Sequence, residues 1–471
     1  MGGSRTGLIG REDTRVSAEA RPGVLSFIGS TPLVPLRSFD TGPCELFVKL
    51  ENQNPGGSIK DRIGLAMIEA AEESGAIKPG ATLVEATAGN TGLGLALVAA
   101  LKGYHLILII PDKMSLEKIV HLRALGVEVR MTRSDVGKGH PEYYQDMAER
   151  IARESGGYYV NQFGNPANPR AHETTTGPEI WRQMDGRMDA MVCGVGSGGT
   201  ITGLGRFFAR QAPQVEMVLA DPAGSVLSEY VRTGKMSEAG SWLIEGIGED
   251  FLPPICDLRP VHQAFTISDE ESLLTARSLL RQEGILAGSS SGTLVAAALH
   301  YCRAQTTAKR VVTLICDSGS KYLSKQFNDF WMQDHGFLRD RPTGDLRDVI
   351  ARRPDQGEVV AVAPADTLQL AHTRMKLAEV SQLPVLEGKQ IVGLLDETDL
   401  LRAVTAAPAA FASPVREYMT TQLVTVTPDA PLDSLFTLFD RGLVPIVCDA
   451  GKFLGLITRI DVINHLRRVQ H

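Results

Sequence analysis

Asn54-Pro-Gly-Gly-Ser-Ile-Lys60-Asp-Arg62 is a turn rich in glycine that leads into a segment whose apolar residues, Ile63, Ala66, Met67, Ala70 and Ala71, recur with helical period. Lys60 therefore falls in the first turn of a helix. The positive end of the helix dipole disfavours a cation there and lowers the amine's pKa. A lysine held neutral is a nucleophile suited to Schiff-base chemistry. Three further loops carry glycine with hydroxyl or amide side chains: Thr87-Ala-Gly-Asn-Thr-Gly92, Gly194-Val-Gly-Ser-Gly-Gly-Thr200 and Gly288-Ser-Ser-Ser-Gly292. The second follows the strand-like Met191-Val-Cys193 and precedes a helix with Ile201, Leu204 and Phe208 on one face. Backbone N–H groups at such a helix start, with the Ser197 and Thr200 hydroxyls, suit a phosphate. The loop also fits G-x-G-x-x-G through Gly194, Gly196 and Gly199, and Asp221 lies 22 residues beyond Gly199. An NAD-dependent oxidoreductase would use that spacing. It leaves Lys60 and the other two loops without a role.

The elements that must position these loops alternate. Strand-like runs occur at Leu46–Leu50, Thr82–Glu85, Leu106–Ile110, Val127–Met131, Ala190–Cys193, Val215–Ala220 and Val311–Cys316, with helices after Ser58, Asn90 and Thr200. This pattern predicts an α/β domain with a mainly parallel sheet, whose ligands bind at the carboxyl ends of the strands. The chain has 471 residues, enough for several domains. A net charge of −7 without a basic stripe argues against a nucleic-acid partner. The apolar region Leu93–Ile110 is interrupted by Lys102, Gly103 and His105, so it reads as a helix followed by a buried strand and not as a membrane span. Residues 1–22 read as a flexible polar lead-in with Arg5, Arg11 and Arg15 and no apolar signal core, so a cytoplasmic location is expected. The six cysteines are widely spaced, which favours free thiols, and no metal site is expected.

Five motifs in order, Pro55-Gly-Gly-Ser-Ile-Lys60-Asp-Arg62, Thr87–Gly92, Gln162-Phe-Gly-Asn-Pro-Ala-Asn-Pro169, Gly196–Thr200 and Glu245-Gly-Ile-Gly248, resemble the β-family of pyridoxal-phosphate enzymes. Within it they resemble the cystathionine β-synthase and O-acetylserine sulfhydrylase families. The resemblance implies a fold-type II catalytic domain, tryptophan synthase β-like with two parallel-sheet subdomains, over residues 23–335. It assigns Lys60 to the covalent cofactor link and to moving the Cα proton, and Asn90 to the cofactor's ring hydroxyl. Gly196, Ser197, Gly198, Gly199 and Thr200 match the phosphate cradle, and Ser290 matches the serine facing the pyridine nitrogen. Thr87, Ala88, Gly89, Thr91, Gln162 and Gly246 match the substrate-binding positions.

A serine cannot hold a proton on the pyridine nitrogen as a carboxylate would, which favours loss of a β-substituent over a long-lived carbanion. The implied reaction is β-replacement on L-serine or an O-activated serine by a thiol. Serine plus homocysteine giving cystathionine and water, in transsulfuration, is the first reading, and O-acetylserine sulfhydrylase (cysteine synthase) is the alternative. Two positions depart from the pattern. Ala88 stands where many relatives have Ser, leaving only a backbone contact, and Glu249 stands where some cystathionine β-synthases have Tyr. The first Cys is Cys44 and the first His is His105, so the haem segment of the animal enzymes is not expected.

After Trp331 a charged, turn-rich stretch contains an expected linker, residues 336–350. Beyond it the chain repeats with a period of 61 residues from Pro384 to Pro445. Leu383-Pro-Val-Leu386 with Ile391–Asp399 recurs as Val444-Pro-Ile-Val447 with Phe453–Asp461. Each copy is preceded by Val-x-Pro and an amphipathic helix, carrying Leu368, Ala371 and Met375 in the first and Leu432, Leu435 and Leu438 in the second. Residues 351–471 thus resemble a tandem CBS-domain pair (α+β), with copies at about 351–405 and 412–471. That resemblance implies an adenosyl ligand such as S-adenosylmethionine held by Thr458 and Asp461. In the first copy Asp396 replaces the hydroxyl residue beside Asp399, and its charge repels phosphates. A purely packing role for the pair, or a non-catalytic adenosyl-nucleotide sensor, are the other readings. A homodimer or a higher homo-oligomer is the expected assembly.

Overall fold

The computed structural model describes residues 23–469 except 88, 113–115, 138, 339–342, 353 and 355–358, so the expected lead-in 1–22 and the substrate-loop residue Ala88 lie outside the described residues. The chain divides into two units, Met1–Phe327 and Asn328–His471.

The first unit runs β1 (Leu33–Pro35), β2 (Glu45–Leu50), α1 (Lys60–Glu73), β3 (Thr82–Ala86), α2 (Asn90–Lys102), β4 (His105–Pro111), α3 (Leu116–Ala124), β5 (Glu128–Thr132), α4 (Tyr144–Ser155) and β6 (Tyr158–Tyr159). It continues through α5 (Ala167–Ala171), α6 (Gly177–Gln183), β7 (Ala190–Cys193), α7 (Gly199–Gln211), β8 (Glu216–Pro222), α8 (Leu227–Thr233), β9 (Val261–Ile267), α9 (Asp269–Glu283), α10 (Ser289–Arg303) and β10 (Arg310–Ile315). Two sheets result, of order β1-β2-β10-β7-β8-β9 and β5-β4-β3-β6. Only the β1–β2 pair is antiparallel. Central strands such as β4 and β7 are buried along almost their whole length, as their unbroken apolar runs require.

The strands absent from the sequence reading lie at edges. β1 contains a proline, β6 has two residues, and β9 shows His262 and Gln263 to solvent, so none carries a strong apolar pattern. Leu93–Ile110 is a helix and a strand, as the interruption predicts: α2 ends at Gly103, whose φ of +76° places it in the left-handed region, and β4 follows. α1 and α2 cross closely because both carry glycine at the contact. A Cβ on Gly64 would sit 2.7 Å from the Gly94 carbonyl carbon, and one on Gly94 would sit 2.6 Å from the Lys60 carbonyl oxygen.

The second unit opens with α11 (Asp329–Asp334). Its first repeat contains α12 (Leu368–Ala378), β11 (Gln382–Glu387), β12 (Gln390–Asp396) and α13 (Glu397–Ala406). The second contains β13 (Thr425–Val426), α14 (Ser434–Asp440), β14 (Ile446–Asp449), β15 (Lys452–Leu456) and α15 (Arg459–Val469). Leu368, Ala371 and Met375 face the first core as expected. In the second copy the helix starts only at Ser434, so Leu432 lies before it and Phe439 joins Leu435 in the core. The segments ahead of each repeat are exchanged. Leu346, Val349 and Ile350 pack with Leu435, Val447 and Ile457 of the second copy, whereas Ala410 and Val415 pack with Leu383 and Leu395 of the first. Residues 346–350, read from sequence as the end of a linker, are therefore core of the repeat pair. Their three apolar side chains are what holds them there.

Candidate active site

The turn before α1 is fastened to the end of β10. Ile59 N–H donates to the Cys316 carbonyl at 2.8 Å, and Ser318 N–H donates to the Gly57 carbonyl at 3.1 Å. This puts Lys60, the first residue of α1, beside the carboxyl end of a central parallel strand, where the strand-end rule places ligands. Burial lowers the Lys60 pKa, with Cys316 and Asp317 pulling the other way. Desolvation thus supplies the effect the sequence reading attributes to the helix dipole. Among the described residues no hydrogen bond or ion pair ties down the Lys60 amine. It is a neutral-prone, unengaged nucleophile.

Gly196–Thr200 closes the N-terminus of α7. Three glycines there have no room for a side chain. A Cβ would meet Gly246 O at 2.6 Å from Gly196, Cys256 Cβ at 2.4 Å from Gly198, and Asn168 Oδ1 at 1.8 Å from Gly199. Gly198 also sits at φ +86°. The result is a bare run of backbone N–H groups at a helix start, flanked by hydroxyls. Ser197 Oγ accepts from Asn168 Nδ2 at 2.9 Å, and Thr200 Oγ1 lies 3.2 Å from His172 Nε2. Burial first, then Arg62 and Lys60, drives the His172 pKa well below its ordinary value, so the ring is neutral. A dianionic phosphate fits this cradle.

Thr91, at the start of α2, meets Gln162. Thr91 Oγ1 donates to Gln162 Oε1 at 2.7 Å, and Gln162 Nε2 donates to the Ala86 carbonyl at 3.4 Å. Gly89 N–H points back to Thr87 Oγ1 at 3.3 Å. Beneath them the buried Glu85 accepts from the Gln162 backbone N–H at 3.2 Å, and burial pushes its carboxyl up to about 8. Gly246 abuts the glycine loop, its carbonyl oxygen 2.6 Å from where a Cβ on Gly196 would stand, and Gly248 N–H donates to the Val195 carbonyl at 2.8 Å. Glu245 N–H donates to Ser289 Oγ at 3.2 Å, so the loops at 194–200, 245–248 and 288–292 converge.

Ser290 is buried at the start of α10, next to the Cys316 thiol. Burial, opposed by Lys60, pushes that thiol up to about 12, so it is neutral. Asn90 opens α2 and belongs to a polar chain that motif reading did not find. Its Nδ2 donates to Asp317 Oδ2 at 2.7 Å, which also accepts from the Tyr322 hydroxyl at 2.6 Å. Lys321 donates to Asn90 Oδ1 at 2.9 Å and to the carbonyls of Gly56 and Gly57. Lys118 donates to the Tyr322 hydroxyl at 3.2 Å and pairs with Glu245 at 2.5 Å, and Lys325 takes the other Glu245 oxygen at 2.5 Å. Burial works against the Glu245 charge, but Lys118 and Lys325 hold its carboxyl below the usual range. The available signal was position. Asp317–Lys325 follows β10 directly, at the end where a parallel sheet puts its chemistry.

In the second repeat Thr458 donates to Asp461 Oδ2 from its backbone N–H at 2.7 Å and from its hydroxyl at 2.5 Å. In the first, Asp396 and Asp399 form a reciprocal helix cap.

Residues 24–317 match the family model described as pyridoxal-phosphate dependent enzyme, and residues 346–406 and 415–468 match that of the CBS domain. The chain is 35% identical to the cystathionine beta-synthase of Dictyostelium discoideum over 95% of its own length and 92% of that protein. It is 34% identical to that of Apis mellifera over 95% and 91%. Among solved structures, a hydrogen sulfide-producing enzyme from Fusobacterium nucleatum aligns with a TM-score of 0.60 at 36% identity, covering 64% of this chain and all of that one.

Proposed function

The chain belongs to the pyridoxal-phosphate dependent enzymes and, within them, to the cystathionine beta-synthase family, and from that membership we propose that it joins L-serine to L-homocysteine to give L-cystathionine and water. The observation that carries this is the unengaged, neutral-prone Lys60 amine at the carboxyl end of β10, in a unit that also carries a glycine cradle suited to a phosphate. Pyridoxal phosphate, when bound, supplies a covalent attachment for the amino acid and an electron sink for the bond broken at Cα. Lys60 would hold it covalently, Gly196–Thr200 would take its phosphate, and Asn90 would offer an N–H to its ring hydroxyl.

The chain's own groups account for the rest. Ser290 and the neutral Cys316 thiol carry no negative charge, so neither would keep a proton on a pyridine nitrogen that Ser290 met, and loss of the β-hydroxyl would be favoured over other exits. Backbone N–H groups of the Thr87–Thr91 loop, with Gln162, receive the substrate carboxylate. Gly246, where a Cβ would meet open space, would leave room for the rest of the substrate. Lys60 Nζ takes the Cα proton, and burial, which lowers its pKa, favours the neutral amine that this needs.

In the C-terminal pair we propose that Thr458 and Asp461 bind S-adenosylmethionine or another adenosyl ligand. The first copy, with two carboxylates at the same place, does not. The substrates are small amino acids. A homodimer fits the apolar Ile460 and Ile463 exposed on α15, and the six unpaired cysteines fit a reducing cytoplasm. No helix among the described residues is long and apolar enough to cross a membrane.

Reconstituted enzyme given serine and homocysteine is expected to form cystathionine faster than it forms cysteine from O-acetylserine and sulfide. The reverse ranking would assign it to cysteine synthesis.

A further inference from the structure

Asn90 has a carboxamide whose two ends are chemically different, and its neighbours decide which way it faces. An ammonium only donates hydrogen bonds and a carboxylate only accepts them. Lys321 Nζ stands 2.9 Å from one end of the amide and Asp317 Oδ2 stands 2.7 Å from the other. Turned over, the amide would set N–H groups against an ammonium and a carbonyl against a carboxylate, two repulsive contacts at a half-buried position. The arrangement therefore locks Oδ1 onto Lys321 and spends one N–H on Asp317. The second N–H has the Tyr322 hydroxyl beside it, a neutral oxygen whose own proton goes to Asp317, and it is the group that an acceptor entering the cleft can draw on.

We infer that Lys321 is a positioning residue that fixes the Asn90 amide with its second N–H available to the ring oxygen of the cofactor and, in the same stroke, ties down the turn that presents Lys60. The second half follows from its other two bonds, at 3.1 Å to Gly56 O and 3.2 Å to Gly57 O, both in the turn before α1. Lys321 is 7% exposed, and every hydrogen bond described for its amine goes to a neutral oxygen. One buried cation thus joins the start of α2, the turn before α1 and the segment after β10. The inference rests on the assignment of Lys60 and Asn90 to the cofactor.

The experiment titrates apo-protein with pyridoxal phosphate and records its absorption bands, for the parent and for Lys60→Ala, Lys321→Met, Lys321→Gln and Lys321→Arg. Losing a charge-assisted hydrogen bond that orients the amide is expected to weaken cofactor binding about tenfold. It is also expected to move part of the visible absorption of the bound cofactor into the near ultraviolet in Lys321→Met. Lys321→Arg, which still only donates, is expected to keep the parent spectrum. Lys321→Gln, polar but able to accept as well as donate, is expected to behave like Lys321→Met and serves in its place if the latter does not fold. Parent-like affinity and band ratio in both neutral variants, with only a lowered melting temperature, would reduce Lys321 to a structural tie and overturn the inference. That result would leave the cofactor assignment intact so long as Lys60→Ala loses the visible band. A parent protein that takes up no cofactor would instead remove the assignment and the inference together.

Discussion

In the N-terminal unit the interior holds charge: Arg62 lies between Glu51 and Glu179 with contacts of 2.7 Å to each, and Lys49 reaches Glu179 at 2.9 Å. In the C-terminal unit the two cores are apolar, built from residues such as Leu368, Leu383 and Leu395 in one and Leu435, Val447 and Ile457 in the other. Among the described residues no polar side chain of that unit is fully buried. Burying ions costs more than packing hydrocarbon, so charge is retained inside where it fixes position. Arg62 is two residues past Lys60 and fastens the first turn of α1 to α6 and to the segment after β2. The acids of the repeat pair sit instead at partly exposed helix starts, where a ligand can reach them.

The comparison can be tested by unfolding the two units separately in one calorimetric scan. Lys60→Ala is expected to cut turnover by at least about a thousandfold while leaving the thermal transition of the C-terminal unit where it was. Arg62→Met strands Glu51 and Glu179 and is expected to destabilise the N-terminal unit by about 3–5 kcal/mol, again without moving the other transition. Equal shifts in both transitions would break the contrast.

The same variant has a pH signature. Burial works against the Glu179 charge, but hydrogen bonds from Arg62 and Lys49 outweigh it and bring the carboxyl down to about 2. A carboxyl depressed on folding adds stability above its unfolded pKa and loses it as pH falls through the folded one. The urea midpoint of the parent is therefore expected to fall between about pH 4.5 and 2, with a shallower slope in Arg62→Met. The smallest effect belongs to the repeat pair. Asp461→Ala is expected to abolish the heat of S-adenosylmethionine binding and any response of turnover to it, with basal turnover unchanged. Equal binding heats in variant and parent would discard the site at Thr458 and Asp461.

Much of this could be read from the chain because parallel strands buried on both faces leave unbroken apolar runs and their loops leave glycine. Lys60, the cradle at Gly196–Thr200 and the meeting of Thr91 with Gln162 were legible for that reason. The edge strands β1, β6 and β9 were not, since β1 contains a proline, β6 is two residues long and β9 alternates weakly. Nor was the polar chain from Lys321 through Asn90, Asp317 and Tyr322 to Lys118, because its members lie far apart in sequence and no spacing rule links them. The exchanged lead-ins of the repeats were hidden similarly. Leu346, Val349 and Ile350 sit in a charged stretch and show their apolar purpose only against the second copy.

The central claim is that one amine, Lys60 Nζ, carries the cofactor. Borohydride reduction of the holoenzyme followed by peptide mapping is expected to leave a single stable pyridoxyl label on the peptide containing Lys60. A label on another lysine, or full turnover by protein that takes up no label, would contradict it.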